Sequence, residues 1–156
     1  SVVIKLLRER HQTLAVAESC TGGGIGEAIT AIPGCSDVFL GGVIAYNNRI
    51  KQNLLGVPED LLNKHGAVSK EVVEAMAKGV LKTIHSDWSI AVSGLAGPTG
   101  GSKNKPIGLV QFCIAGPIGC FTETEIFRQN KERTDIQKLS VLKGLDKLRL
   151  FLLNKS

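Results

Sequence analysis

Two glycine-rich turns, each placed directly after a short apolar run, constrain this chain more than any other feature. Residues 13–17 are apolar and enter a turn at 18–24, and residues 88–93 enter a second turn at 94–101. A strand, a glycine turn and then a helix is the arrangement of many α/β ligand-binding proteins. Because the carboxyl ends of strands in such sheets meet at one edge, we expect the two turns to form a pocket there.

The remaining pattern predicts one α/β domain over residues 1–156. Helices are predicted at 2–10, 25–32, 48–55, 59–64, 70–85 and 130–153, strands at 42–46 and in the two runs above, and a late hairpin at 107–115 and 120–127. This order predicts a three-layer α/β/α sandwich with a mixed, mostly parallel central sheet. The chain begins at Ser1 and its only methionine is Met76, which is compatible with a piece cut from a longer two-domain protein.

Composition excludes several classes of function. No apolar run is long enough to span a bilayer and no signal peptide is evident, so a cytoplasmic location is expected. The four cysteines form no CxxC pair and no zinc-type spacing, which indicates reduced thiols and no metal site. The three histidines lack neighbouring acids in a triad pattern, which disfavours a Ser–His–Asp hydrolase.

The positive charge is concentrated at the end of the chain. Residues 128–156 hold eight Lys and Arg against three Asp and Glu, and so carry the whole net charge of +5. A basic helix of this kind can bind nucleic acid, but interleaved acids and the absence of aromatic side chains for stacking favour an ordinary solvated face. Nucleic-acid binding is therefore kept only as an alternative.

The first turn is the predicted anion site. It opens a helix, whose free N–H groups and positive dipole end favour a phosphate, and Ser19 and Thr21 add hydroxyl donors beside Gly22 and Gly23. The alternative is that these glycines only permit close packing of helix and strand. The second turn, with Ser93, Gly94 and Gly97, is expected at the same edge.

Lysine is the predicted catalytic base. Burial favours the neutral amine, and Lys51 follows the chain's only tyrosine, Tyr46, in the segment YNNRIK. Ser36, between a glycine and an apolar pair, is a candidate nucleophile for activation by that base.

Five segments in order resemble the CinA C-terminal domain, or PncC, family of nicotinamide mononucleotide deamidases. They are AESCTGG (17–23), PGCSDVF (33–39), VIAYNNRIKQNLLGV (43–57), HGAVS (65–69) and VSGLAGPTGGSKNKPIGLV (92–110). The resemblance implies hydrolysis of the nucleotide's carboxamide to nicotinate mononucleotide and ammonia, without cofactor or metal. It also implies a homodimer or larger homo-oligomer that binds a small pyridine nucleotide.

The resemblance also implies roles for residues. Ser36 matches the family's nucleophile, and Tyr46 and Lys51 match the pair thought to activate it. Arg133 matches a substrate-binding arginine, and the family's second arginine one turn later is replaced here by Gln137. The loop residues named above match the family's binding loops, and a non-catalytic nucleotide-binding module of a two-domain protein is the alternative function.

Overall fold

A computed structural model describes residues 1–127 and 131–154. The observed elements follow the predicted order, with most boundaries moved by a few residues. They are α1 (Val2–Glu9), β1 (Leu14–Glu18), α2 (Gly24–Thr30), a 3-10 turn (Cys35–Asp37), β2 (Phe39–Ile44), α3 (Asn48–Leu55), α4 (Glu59–His65), α5 (Lys70–Ile84), β3 (Trp88–Gly94), β4 (Leu109–Gly116), β5 (Gly119–Ile126) and α6 (Arg133–Asn154).

Boundary differences bear on two of the predictions. Strand β2 begins at Phe39, three residues before the predicted start, so the turn Cys35–Asp37 stands directly before a strand. Helix α6 begins at Arg133, and the predicted start at Asn130 lies outside the described residues. Both differences reflect the weakness of local propensity at the ends of elements.

The central sheet has five strands in the order β2-β1-β3-β4-β5. The mixed sheet is confirmed, with β1 parallel to β2 and β3, and β4 antiparallel to β3 and β5. Parallel and antiparallel pairings are thus equal in number. The late hairpin is also confirmed and forms the edge opposite β2.

Helices cover both faces of the sheet, as the sandwich requires. Strand β1 is buried along its whole length, with Leu14 and Val16 on one face and Ala15 and Ala17 on the other. The bulkier face packs against α1, α2 and α6, whereas α5 packs on the alanine face. Small side chains there let α5 approach the sheet closely, which stabilises the fold through dense packing.

Helix α5 shows how local sequence sets an element. Ser69 is its N-cap, and its hydroxyl accepts a hydrogen bond from the Val72 N–H at 3.2 Å. His85 ends the helix in the left-handed conformation. Capping of this kind contributes about 1 kcal/mol and was predicted from the serine's position.

Candidate active site

The predicted pocket edge is present. Because β1, β2 and β3 are mutually parallel, their carboxyl ends at Glu18, Ile44 and Gly94 lie at one edge of the sheet. A cavity of about 300 Å³ opens there. Its walls come from the segments that follow these three strands and from the start of α6, and include Ser19, Cys20, Tyr46, Lys51, Ala67, Val68, Ser93, Gly94, Leu95, Ala96, Gly97, Thr99 and Arg133.

Lys51 is the buried cation of this cavity. Its side chain is only 1% exposed, and Nζ donates to the Ala45 carbonyl at 2.8 Å and to the Tyr46 carbonyl at 3.0 Å. The third neighbour of Nζ is the hydroxyl of Ser19, at 3.2 Å. Lys51 therefore sits between the end of β2 and the first residue after β1.

The start of α3 directs Lys51 to this place. Asn47 is the N-cap, and its side-chain oxygen accepts from the Arg49 N–H at 2.8 Å. Side chains in the first turns of a helix lean towards its N-terminus, so Lys51 reaches back to the strand end.

Burial lowers the pKa of Lys51 from its ordinary 10.5 to about 8. Desolvation penalises the ammonium form, and the nearby Cys20 opposes this effect only in part. A substantial fraction of the amine is therefore neutral near pH 8, and the neutral amine has a lone pair for the Ser19 proton. The burial of Lys51 and its contact with a serine hydroxyl are thus observed, and its role as a base stays a prediction.

Ser19 is held rigidly. Its N–H donates to the Val92 carbonyl at 3.1 Å, which continues the β1–β3 pairing by one residue. The side chain is buried and faces Lys51. Because both Ser19 and Lys51 are fixed by the ends of neighbouring strands, their contact is preorganised.

The first glycine turn differs from the expected phosphate site. The buried carboxylate of Glu18 accepts from the Ile25 N–H at 2.9 Å, the Gly26 N–H at 3.0 Å and the Thr21 hydroxyl at 2.5 Å. The N-terminus of α2 is thus already satisfied by an internal anion. The expectation of a phosphate at this turn is therefore corrected.

Thr21, Gly22 and Gly23 accordingly do not line the cavity. Gly22 and Gly23 have φ values of +58° and +101°, which favour glycine in the turn. A Cβ on Gly24 would lie 2.8 Å from a methyl of Val141 on α6. These glycines therefore allow the turn and the close packing of α2, which is the alternative to a phosphate site that the sequence analysis left open.

The second turn does line the cavity. The Ser93 hydroxyl donates to the Ala67 carbonyl at 2.8 Å and so ties the segment before α5 to β3. A Cβ on Gly94 would lie 3.1 Å from the Cys20 sulfur and 3.0 Å from the Leu109 carbonyl, so a side chain would not fit. The N–H groups of Ala96 and Gly97, two further residues of the cavity wall, have no acceptor among the described residues.

Arg133 and Tyr46 form the rim of the cavity. Arg133 Nη1 donates to the Gly97 carbonyl at 2.6 Å, and Nη2 donates to the Tyr46 hydroxyl at 3.0 Å. The Tyr46 side chain is 61% exposed, and only its backbone carbonyl contacts Lys51. The structure therefore joins Tyr46 to the site through its contact with Arg133, and its role in activating the serine stays a prediction.

Ser36 does not join this site within one chain. It lies exposed in the Cys35–Asp37 turn before β2, at the sheet edge where Leu14 and Phe39 pair, whereas Lys51 follows the other end of β2. The six residues of β2 separate the two ends by roughly 20 Å at about 3.3 Å per residue. The predicted Ser36–Lys51 contact is thus corrected: the serine beside the lysine is Ser19.

Two residues of the site were not predicted to act as they do. Glu18 neutralises the α2 terminus, and Gln137 Nε2 donates to the Cys20 carbonyl at 3.0 Å, which fixes the residue after Ser19. A carboxylate at the end of a buried strand just before a helix was the available signal for Glu18. Gln137 is 117 residues from Cys20 in sequence, and no local pattern indicates that contact.

The basic helix α6 is partly neutralised. Lys147 is buried and contacts Glu123 at 2.9 Å and Glu125 at 2.8 Å, and Arg149 contacts Asp146 at 2.7 Å. These pairings occupy two of the basic side chains on which the nucleic-acid alternative depends, and the buried Lys147 departs from the solvated face that the sequence predicted. Within residues 1–127 and 131–154, no three His, Cys, Asp or Glu side chains gather in a way that would hold a metal. None of the helices in those ranges is long and apolar enough to cross a membrane.

Solved structures resemble this fold over almost its whole length. The competence damage-inducible protein A from Klebsiella pneumoniae subsp. pneumoniae matches with a TM-score of 0.94 and 32% identity, covering 99% of this chain and 95% of that one. The competence/damage inducible protein CihA from Agrobacterium tumefaciens matches with a TM-score of 0.89 and 33% identity, covering 99% and 97%.

Sequence relatives point the same way. A CinA-like protein of Prochlorococcus marinus (strain NATL2A) is 65% identical over 149 residues, which are 96% of this chain but 35% of that protein. A CinA-like protein of Parasynechococcus marenigrum is 56% identical over 156 residues, or 37% of its length. The chain thus spans about a third of the curated relatives it matches. The family described as the CinA C-terminal domain matches residues 1–152, and the chain belongs to that family.

Proposed function

We propose that this chain hydrolyses a carboxamide with Ser19 as the nucleophile and Lys51 as the general base. The observation that carries the proposal is the 3.2 Å contact between Lys51 Nζ and Ser19 Oγ, made by an amine whose pKa is lowered to about 8. A serine next to a neutral lysine is a known alternative to the serine–histidine pair.

The first half of the reaction forms an ester on Ser19. The hydroxyl oxygen attacks the amide carbon, its proton passes to Lys51, and the carbonyl electrons move to the oxygen. When the tetrahedral intermediate collapses, the C–N bond breaks and Lys51 returns the proton to the leaving nitrogen, which departs as ammonia.

The second half consumes water. Lys51 takes a proton from the water that attacks the ester carbon, and the C–O bond to Ser19 breaks as the proton returns to the serine oxygen. The products are a carboxylic acid and the free hydroxyl. Ala96 and Gly97 line the same cavity, and their N–H groups are the donors we assign to the oxyanion. One such donor changes kcat by about 100- to 1,000-fold in known hydrolases.

Nicotinamide mononucleotide is the substrate we propose, on the family resemblance. Arg133 supports this choice because its guanidinium lies at the mouth of the cavity. It has further N–H groups besides the two that contact the Gly97 carbonyl and the Tyr46 hydroxyl. An anionic group held at Arg133 and an amide at Ser19 would occupy the two ends of one cavity. Binding of the remote anion would orient the amide for attack.

An ammonia-release assay with nicotinamide mononucleotide tests the proposal. We expect turnover by the unaltered chain, loss of at least a hundredfold in Ser19→Ala and in Lys51→Met, and unchanged turnover in the control Ser102→Ala, which alters an exposed loop serine. Folding of each variant is checked by circular dichroism. Full activity in Ser19→Ala would contradict the assignment of the nucleophile.

A non-catalytic nucleotide-binding module is the second candidate. The observation that favours it is the share of the curated relatives that the chain covers, since their remaining two thirds lie outside it. Calorimetric binding of the nucleotide with no ammonia released would support this alternative.

A further inference from the structure

We propose that the aromatic ring of Tyr46 is a stacking surface for the ring of the substrate, and that the site thereby selects carboxamides carried on a positively charged aromatic ring. A nicotinamide nucleotide has such a ring, because its pyridine nitrogen is bonded to the ribose and is therefore a pyridinium cation. The inference rests on the function proposed above, and it gives Tyr46 a role in binding besides the contact of its hydroxyl.

The Tyr46 side chain spans the mouth of the cavity. Its backbone carbonyl accepts from Lys51 Nζ at 3.0 Å, on the side of the cavity that follows the end of β2. Its hydroxyl accepts from Arg133 Nη2 at 3.0 Å, and Arg133 also binds the Gly97 carbonyl of the second turn. The ring therefore lies between the β2 side and the Gly97 side of the opening, and hydrogen bonds at both ends fix its orientation.

The ring is accessible to a ligand. Tyr46 is 61% exposed, although its carbonyl and its hydroxyl are both hydrogen-bonded. It is also the only aromatic residue among the described residues that line the cavity. Aromatic rings stack with their faces offset, and a ring that is held at both ends can receive a second ring without losing side-chain freedom. Stacking on a ligand in this cavity therefore falls to Tyr46.

The ring of Tyr46 is close to the serine that would attack the amide. Lys51 Nζ contacts both the Tyr46 carbonyl, at 3.0 Å, and Ser19 Oγ, at 3.2 Å, so the two residues flank one amine. In the substrate a single bond joins the aromatic ring to the amide carbon. When that carbon is at Ser19, the substrate ring has to lie within the same cavity, whose wall Tyr46 shares with the apolar Val68 and Ala96.

The charges around the cavity leave the Tyr46 ring as the group that favours a cation. The described residues of the wall include Lys51 and Arg133 and no Asp or Glu, and the nearby Glu18 carboxylate is occupied by N–H groups of α2. The face of a tyrosine ring attracts a cation by an amount that corresponds to about a two- to fivefold preference at an exposed site. Burial lowers the pKa of Lys51 to about 8, so its repulsion of a cation weakens as pH rises through that value.

Two nucleotides of the same shape test the effect of ring charge. Nicotinamide mononucleotide has a cationic pyridinium ring, whereas benzamide mononucleotide has a neutral benzene ring with the same carboxamide, ribose and phosphate. Dissociation constants are measured by calorimetry in Ser19→Ala, which keeps Lys51 and lacks the proposed nucleophile. We expect the cationic nucleotide to bind about two- to fivefold more tightly than the neutral one.

Two substitutions of Tyr46 separate the ring from the hydroxyl. In the Ser19→Ala background, Tyr46→Phe keeps the ring and Tyr46→Leu removes it, whereas both lose the contact with Arg133. The preference for the cationic nucleotide should persist in Tyr46→Phe and disappear in Tyr46→Leu, with unchanged circular dichroism. Equal preferences in the two variants would overturn the proposal, because the loss of the Arg133 contact is common to both.

Proton NMR tests the stacking geometry. Tyr46 is the only tyrosine of the chain, so labelled tyrosine gives ring signals from this residue alone. A pyridinium ring stacked on its face should move these signals upfield, whereas inorganic phosphate, which binds an arginine without covering the tyrosine ring, should not. Equal shifts with nicotinamide mononucleotide and with inorganic phosphate would contradict stacking.

The outcomes distinguish this inference from the proposed function. Ammonia release by the unaltered chain, with a ring preference that Tyr46→Leu retains, would leave the function standing and overturn the role of the ring. A preference that depends on the ring, without ammonia release, would support the inference and count against the proposed catalysis. Binding of neither nucleotide would overturn the inference together with the proposed substrate.

Discussion

Lys51 Nζ lies 3.2 Å from the hydroxyl of Ser19, although 32 residues separate them in sequence. The contact joins the first residue after β1 to the first turn of the helix that follows β2. Both positions are set by the parallel pairing of those strands, in which Glu18 stands beside Ile44. The chemistry of the site therefore depends on the sheet register.

The pH dependence of turnover follows from Lys51. Only its neutral form accepts the Ser19 proton, and because burial lowers the pKa of Lys51 to about 8, the neutral fraction grows as pH rises through that value. We expect kcat/KM to increase about tenfold per pH unit below pH 7 and to level off above 8. Rates measured from pH 5.5 to 9.5 check this, and a flat profile would contradict a lysine base.

Stability should also depend on this lysine. The unfolded chain keeps the proton up to the ordinary pKa of 10.5, whereas the folded chain releases it at about 8, so the unfolded state binds more protons in between. Lys51 thus makes the free energy of unfolding rise with pH across that window, by about 3 kcal/mol in full.

The variant Lys51→Met isolates this effect. Burial raises the pKa of Cys20 and of Cys113 to about 12, and these thiols lower stability as pH rises above 9. The difference between the unaltered chain and Lys51→Met, measured by urea unfolding at pH 7 and pH 9, removes the thiol contribution. A difference that does not change with pH would contradict the lowered pKa of Lys51.

Tyr46→Phe separates two roles for the tyrosine. If Tyr46 only positions Arg133 through its hydroxyl, the variant should raise KM by about tenfold or less and leave kcat unchanged, because the exposed hydrogen bond that it removes is donated by the charged Arg133 guanidinium and contributes at most about 1.5 kcal/mol. A fall in kcat of a hundredfold would instead restore the tyrosine as a proton relay. Steady-state kinetics with ammonia detection give both parameters.

Arg133→Gln tests recognition of an anionic group. The variant should raise KM for nicotinamide mononucleotide by at least tenfold, since a charge-assisted contact contributes roughly 1.5–3 kcal/mol. The KM for the riboside, which lacks the phosphate, should change little. Equal changes for both compounds would show that Arg133 acts on the shape of the rim, through its bond to the Gly97 carbonyl, and not on the phosphate.

Glu18→Gln tests the internal anion at α2. The amide cannot accept well from the Ile25 and Gly26 N–H groups with both of its terminal atoms, so we expect a loss of about 2 kcal/mol in the free energy of unfolding. Glu27→Gln, an exposed carboxylate on the same helix, is the matched control and should cost less than about 0.5 kcal/mol. Equal losses would mean that Glu18 has no special role in capping.

Much of the fold could be predicted from the sequence. Apolar runs ending in glycine turns predicted β1, β3 and a shared pocket edge, and the periodicity with Ser69 as cap predicted α5. The position of Lys51 was also indicated, because the segment YNNRIK places it in the first turn of a helix after a strand. Each of these features is set by residues close together in sequence, and for that reason a sequence pattern can predict it.

Only the tertiary structure decided which serine contacts Lys51 and which group occupies the N-terminus of α2. Ser19 and Ser36 each stand between a cysteine and an acidic residue. Lys51 contacts Ser19 because the two residues follow the carboxyl ends of the paired strands β2 and β1, whereas Ser36 precedes β2. In the same way Glu18, and not a ligand, fills the N-terminus of α2 because the strand register places its carboxylate there. Contacts of this kind join residues far apart in sequence. They are set by how the strands and helices pack, and no local sequence pattern predicts them.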